Sequence, residues 1–207
     1  MLPADSMTAF FAASLLLGVA PGPDNIFVLT QSALYGVRAG FATTLGLATG
    51  LCAHTAAVAA GVAALLQSSA TAFAALKTAG AVYLLYLAWL SFRAGAVKTG
   101  NGGATAFPGY AALYRRGIVM NITNPKVSLF FLAFLPQFCR PEQGGAALQS
   151  LVLGALFILS TLLVFFSVAA LGGRLALWFN RSRRGQILLH RAAGLIFAGL
   201  ALALLAS

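Results

Sequence analysis

The chain has 207 residues, of which 60% are hydrophobic and only 8% charged, with a mean hydropathy of +0.92. An ordinary soluble domain carries roughly 25% charged residues, so this composition excludes a cytosolic globular enzyme, a disordered chain and a nucleic-acid binder. The net charge of +10 comes from 13 Lys+Arg against 3 Asp+Glu. With so few charges, it reports which side of a bilayer the basic residues face.

A helix crossing a ~30 Å hydrocarbon core needs about 20 mostly apolar residues. Six segments meet this: about 7–35, 40–66, 71–92, 113–138, 146–171 and 187–206. They are rich in Ala, Leu and Gly without period-2 alternation, which predicts helices rather than a barrel. The first segment reads as a membrane helix and not a signal peptide, since it lacks a basic n-region and carries Asp5. The joints fall at Gly36–Gly40, Gln67–Ser69, Gly100–Gly109, Arg140–Gly145 and Asn180–Gln186.

The first segment contains Pro21-Gly22-Pro23-Asp24-Asn25. Proline in a helix interior removes a hydrogen bond and clashes with the preceding turn, at ~3 kcal/mol or more. In lipid such a break persists only beside protein or a wet cavity. Pro23 suits the first position of a new half-helix, with Asp24 and Asn25 in its first turn. The fourth segment repeats the device, with Asn124 as N-cap and Pro125 at the first helical position, followed by Lys126. Each half-helix is then expected to offer free N–H groups and the positive end of its dipole. At ~1.5 Å per residue, Asp24 and Lys126 lie roughly 18 and 14 Å from the ends of their segments, near the middle of a ~30 Å core. They are the acid and the base placed deep. Either they form a salt bridge that locks two halves of the protein, or they are the two poles of a site for a zwitterion.

The third segment reads Lys77-Thr78-Ala79-Gly80-Ala81-Val82-Tyr83, and the sixth reads Arg191-Ala192-Ala193-Gly194-Leu195-Ile196-Phe197. Together with the two proline breaks, this points to a three-helix unit repeated once. Three crossings end on the opposite side, so the copies are inverted, as in many secondary transporters. The predicted fold is therefore all-α, with six transmembrane helices in an inverted 3+3 repeat. Residues 1–92 form repeat one, 93–112 a cytoplasmic loop and 113–207 repeat two. Arg38, Arg93, Lys98, Arg115, Arg116, Arg174, Arg181, Arg183, Arg184 and Arg191 fall on one side, and Lys77 and Arg140 on the other. Ten against two places both termini outside and the large loops in the cytoplasm.

Other polar residues extend the candidate site. His54 could relay a proton or simply bond a neighbouring helix. Thr49, Thr55, Asn121 and Thr123 could line a cavity, and Tyr83, Tyr86 and Trp89 could touch substrate or anchor the protein at the interface. Cys52 and Cys139 show no pairing motif and no metal-ligand spacing, so they read as packing residues. A thiol-redox carrier and a purely structural membrane protein are the rival readings.

The chain resembles the lysine exporter (LysE/RhtB, lysine exporter and homoserine-threonine resistance) family of bacterial amino-acid efflux proteins. The resemblance rests on Gly18–Asn25, on Gly46–Gly50 with His54, on Leu76–Leu87, on Gly117–Lys126 and on Phe130–Phe138. It implies a proton-driven exporter of an amino acid or derivative across the bacterial inner membrane, with no cofactor. Amino acid, protons and lipid are then the partners, and a homo-oligomer is compatible with the sequence. The scarcity of intramembrane charge favours a neutral amino acid. In this scheme Asp24 takes the α-ammonium. Lys126 and the N–H groups near Pro23–Asn25 or Asn124–Lys126 take the α-carboxylate. Pro21, Gly22, Pro23, Asn25, Asn121, Asn124, Pro125 and His54 complete the expected substrate- and proton-binding set.

Overall fold

A computed structural model describes residues 2–68, 70–95, 106–172, 174 and 182–206, and all regular structure among them is helical. Ser69, the glycine-rich stretch up to residue 105, Lys98, Asn180 and Arg181 lie outside the described residues. Helix α1 is Ala4–Val19, α2 Pro23–Tyr35, α3 Val37–Ser68 and α4 Ala70–Arg93. Helix α5 is Tyr110–Ile122, α6 Pro125–Leu129, α7 Ala146–Ala170 and α8 Arg183–Ala206. Helices α3, α4, α7 and α8 are long and apolar enough to cross a membrane. The number rises to six if each of two bent pairs counts as one span. Large apolar side chains such as Val82, Leu188, Leu195 and Leu202 point outward, as suits a protein whose solvent is lipid.

The bent pairs are those marked by proline. α1 and α2 meet at 57°, and α5 meets the stretch Pro125–Phe138 at 48°. Proline disfavours the helical conformation in the residue before it. Ala20, before Pro21, turns to ψ 121 and ends α1. Asn124, before Pro125, sits at ψ 108 and ends the path of α5. Between Pro21 and Pro23, Gly22 is fully extended. The expected joint at Gly36–Gly40 contracts to one residue, Gly36, at φ +86. Beyond α6 the chain departs from a regular helix, as a π-helical turn over Phe130–Phe134 and a 3₁₀ turn over Leu135–Phe138. Pro136 explains this, because its ring crowds the carbonyl four residues back and a wider turn relieves the clash.

Packing brings the breaks together. α3 lies against both α5 and α7, α4 against α8, and α1 against α7. The α3–α5 contact depends on glycine. A Cβ on Gly46 would fall on the Tyr114 carbonyl, one on Gly117 would stand 2.6 Å from the Thr43 carbonyl, and one on Gly50 would stand 2.8 Å from Asn121 Cβ. Phe10, Phe130, Phe131 and Phe157 fill the core beside the breaks. At the Arg140 end, the buried Gln149 side chain holds the loop before α7. Its Oε1 accepts from the Arg140 N–H at 2.7 Å, and its Nε2 donates to the carbonyls of Arg140 and Gly144 at 2.9 and 3.3 Å.

Candidate functional site

Asp24 lies in the first turn of α2 and is 5% exposed. A carboxylate there sits at the positive end of the helix dipole. Asn121, in the last turn of α5, donates its Nδ2 to Asp24 Oδ2 at 3.2 Å. Asp24 Oδ1 is buried without a hydrogen-bond partner, with the Asn124 side chain alongside. Asn25 spans its own break, donating Nδ2 to the Gly18 carbonyl at 2.6 Å.

Lys126 is also buried, and its ammonium points across to the other break. Nζ donates to the carbonyls of Leu17 and Ala20, both at 3.0 Å, and stands 5.2 Å from the Phe197 ring centroid. The last carbonyls of a helix have no partner within it and carry its negative dipole end. Lys126 therefore caps α1 from the second half of the chain, while Asn121, also from the second half, holds the acid of the first. Asp24 and Lys126 share one neighbourhood but are not joined as an ion pair. The expected free N–H at the second break is also taken, since Asn124 Oδ1 accepts from the Lys126 N–H at 3.0 Å. Asn124 is thus the N-cap its sequence suggested. No side chain caps α2.

His54 reaches the same region. Its Nε2 lies 3.3 Å from the Asn121 carbonyl and its ring 5.6 Å from that of Phe131. A carbonyl only accepts, so this contact places the proton of the neutral ring on Nε2.

Two hollows adjoin the breaks. The inner one, about 20 Å³, is lined by Asp24, Asn25, Asn121, Asn124, Lys126 and Thr161 among others. That is enough for about one water molecule. The second, about 330 Å³, lies between the breaks and helices α4 and α8; Pro21, Pro23, Tyr83, Pro125, His190 and Phe197 contribute to its walls. Gly22, Asn124 and Lys126 border both.

The remaining candidates separate. Tyr83 reaches the larger hollow, whereas Tyr86 and Trp89 stack on the outside with Arg93 over Trp89 at 4.5 Å. Thr55 donates to Leu51 within its own helix and packs against Gly154. Thr49 bonds Leu45 and Tyr114, and Thr123 bonds its own helix, both at exposed positions. Cys52 and Cys139 are free thiols; burial pushes the Cys139 thiol up, with its Sγ 3.6 Å from Ser150 Oγ. Thr161 and His190 join the site without any signal in sequence. Neither has a motif, and His190 is hidden among Arg183, Arg184 and Arg191.

Comparison with known proteins gives the arrangement its context. Residues 15–207 match the family described as LysE type translocator. The homoserine/homoserine lactone efflux protein of Salmonella typhi is 38% identical over 190 residues, covering 91% of this chain and 90% of that protein. An uncharacterized membrane protein of Pseudomonas aeruginosa is 33% identical over 207 residues, covering 96% and 95%. The leucine efflux protein of Salmonella choleraesuis is 30% identical over 129 residues, covering 62% and 61%. No solved structure matches. With its apolar helices, its proline-marked breaks and a family match over nearly all its length, the chain belongs to the LysE type translocators and is a membrane transporter, not an enzyme.

Proposed function

We propose that the protein exports an amino acid or a close derivative from the cytoplasm across the inner membrane, in exchange for protons. Relatives named for homoserine, homoserine lactone and leucine efflux support the cargo class. The observation that carries the mechanism is Asp24 Oδ1, a buried carboxylate oxygen without a well-formed hydrogen bond and with only the Asn124 side chain as a loose partner. A buried acceptor left unmet costs about 1–3 kcal/mol, more for a charged one. A proton on the carboxyl, the water for which the inner hollow has room, or the α-ammonium of a substrate meets that need, and proton and ammonium compete for one oxygen. Such competition is the minimum required of an antiporter. Lys126 serves the carboxylate pole. A substrate carboxylate draws its ammonium away from the Leu17 and Ala20 carbonyls, so binding loosens the tie between the breaks. His54, through the Asn121 carbonyl, steadies the residue that holds Asp24.

In this reading each bent pair is one span, broken near the midplane, and six spans form an inverted 3+3 repeat with both termini outside. The matching proline-marked bends, 57° and 48°, support the repeat, and rocking of one half against the other supplies alternating access. The test is efflux of labelled amino acids from loaded proteoliposomes under an imposed proton gradient. Wild-type efflux rises with the gradient, and Asp24→Asn loses efflux or its response to the gradient. Full, gradient-driven efflux by Asp24→Asn would falsify the assignment.

A further inference from the structure

We propose that the 330 Å³ hollow is the side-chain subsite of the translocation site, and that it selects amino acids with uncharged, largely apolar side chains. This rests on the reading of Asp24 as the α-ammonium site. The inner hollow beside Asp24, at about 20 Å³, has room for an ammonium group but not for a whole amino acid. A substrate anchored there must extend into adjoining space. The space that shares walls with it, at Gly22, Asn124 and Lys126, is the larger hollow. Its volume is at the lower end of the range for small-molecule pockets, roughly 300–1,000 Å³.

The lining decides the chemistry. Ile26, Leu87, Leu90 and Phe197 supply apolar walls, and Tyr83, Ser91 and His190 supply a few polar groups. Among the described residues no Asp or Glu contributes to the lining, and the Lys126 ammonium that does is bonded to the α1 carbonyls. A lysine or arginine side chain entering here would lose its hydration, meet no carboxylate and face a cation. Burying an unpaired charge is heavily unfavourable. A branched aliphatic chain loses nothing of the kind, and a short hydroxyl or lactone carbonyl can find Tyr83, Ser91 or His190. The position suits loading. Ser91 and Ala94 stand at the C-terminal end of α4 beside Arg93, and His190 is near the start of α8 with Arg183 and Arg184. That is the basic end, which faces the cytoplasm. Tyr83 and Phe197, the aromatic residues that close the two matching sequence stretches, both contribute to this pocket.

The test is counterflow of labelled leucine, alanine and lysine in proteoliposomes containing wild-type protein, Leu87→Trp, Leu90→Trp or Ser91→Asp. Thermal unfolding in detergent identifies any variant that fails to fold. The wild type exchanges leucine well and lysine poorly. Filling the pocket lowers the leucine-to-alanine exchange ratio at least about tenfold, the scale on which an apolar pocket discriminates by one or more methylenes. The methyl of alanine is too short to meet the new ring. Ser91→Asp gains lysine exchange. An unchanged leucine-to-alanine ratio in whichever tryptophan variants fold overturns the subsite, as does wild-type lysine exchange equal to that of leucine. Wild-type protein that exchanges no amino acid fails differently, by removing the proposed function itself.

Discussion

Among single residues, the two buried charges behave differently from any pair. Lys126 is satisfied by backbone oxygens at the end of α1, and Asp24 by one amide hydrogen, with an oxygen to spare. Removing one partner of a buried ion pair is strongly destabilising, and removing both relieves the damage. Here the two charges make separate contacts, so their losses add. Lys126→Gln strips the Leu17 and Ala20 carbonyls of their donor, at about 1–3 kcal/mol for each group left unmet, or roughly 2–4 °C of unfolding temperature per kcal/mol for a chain of this size. Asp24→Asn removes a buried charge and changes stability little. The double variant should be as unstable as Lys126→Gln alone and no more active than either single variant. Unfolding midpoints of the four proteins check this, and recovery of stability in the double variant would restore the salt bridge.

Helix approach sets where those residues stand. α3 and α5 come close enough for Asn121 to reach Asp24 because Gly46, Gly50 and Gly117 have no side chains. Gly50→Ala pushes on Asn121 and Gly117→Ala on the Thr43 carbonyl, and overpacking of this kind costs about 1–3 kcal/mol. Gly61 lies further along α3, where an added methyl group would meet nothing within 4 Å, so Gly61→Ala should be stabilising by about 0.5–1 kcal/mol, the helix preference of Ala over Gly. Thermal unfolding of the three variants compares these effects directly. In transport, Gly50→Ala should resemble an Asn121→Ala variant, since both deprive Asp24 Oδ2 of its donor.

For the molecule as a whole, the distribution of basic residues makes a prediction about sidedness. An alkaline-phosphatase fusion at the C-terminal end should be active and a fluorescent-protein fusion dark, because in the six-span reading ten basic residues would lie on the side opposite the termini. The reverse pattern would mean that one of the bent pairs does not cross. Much of this molecule is legible in its residues for definite reasons. Proline dictates the backbone before it, so the ends of α1 and α5 can be placed to within a few residues, and Asn124 has the side chain an N-cap requires. What cannot be read is where Lys126 points. Its partners are carbonyls of Leu17 and Ala20, and a backbone oxygen carries no signature in sequence. The part played by His190 is hidden for a related reason: it follows from how α4 and α8 pack against the breaks, over long separations in the chain.

The Gln149 clasp bears on how such a body can move. One side chain holds both sides of the loop before α7 through three hydrogen bonds. Those bonds tie the chain just beyond Pro125–Phe138 to the start of α7 at that edge. In the rocking motion proposed above, the two would move as one lever whose far end lies where α6 meets the capped carbonyls of α1, so a release at Lys126 would be felt along the helix pair.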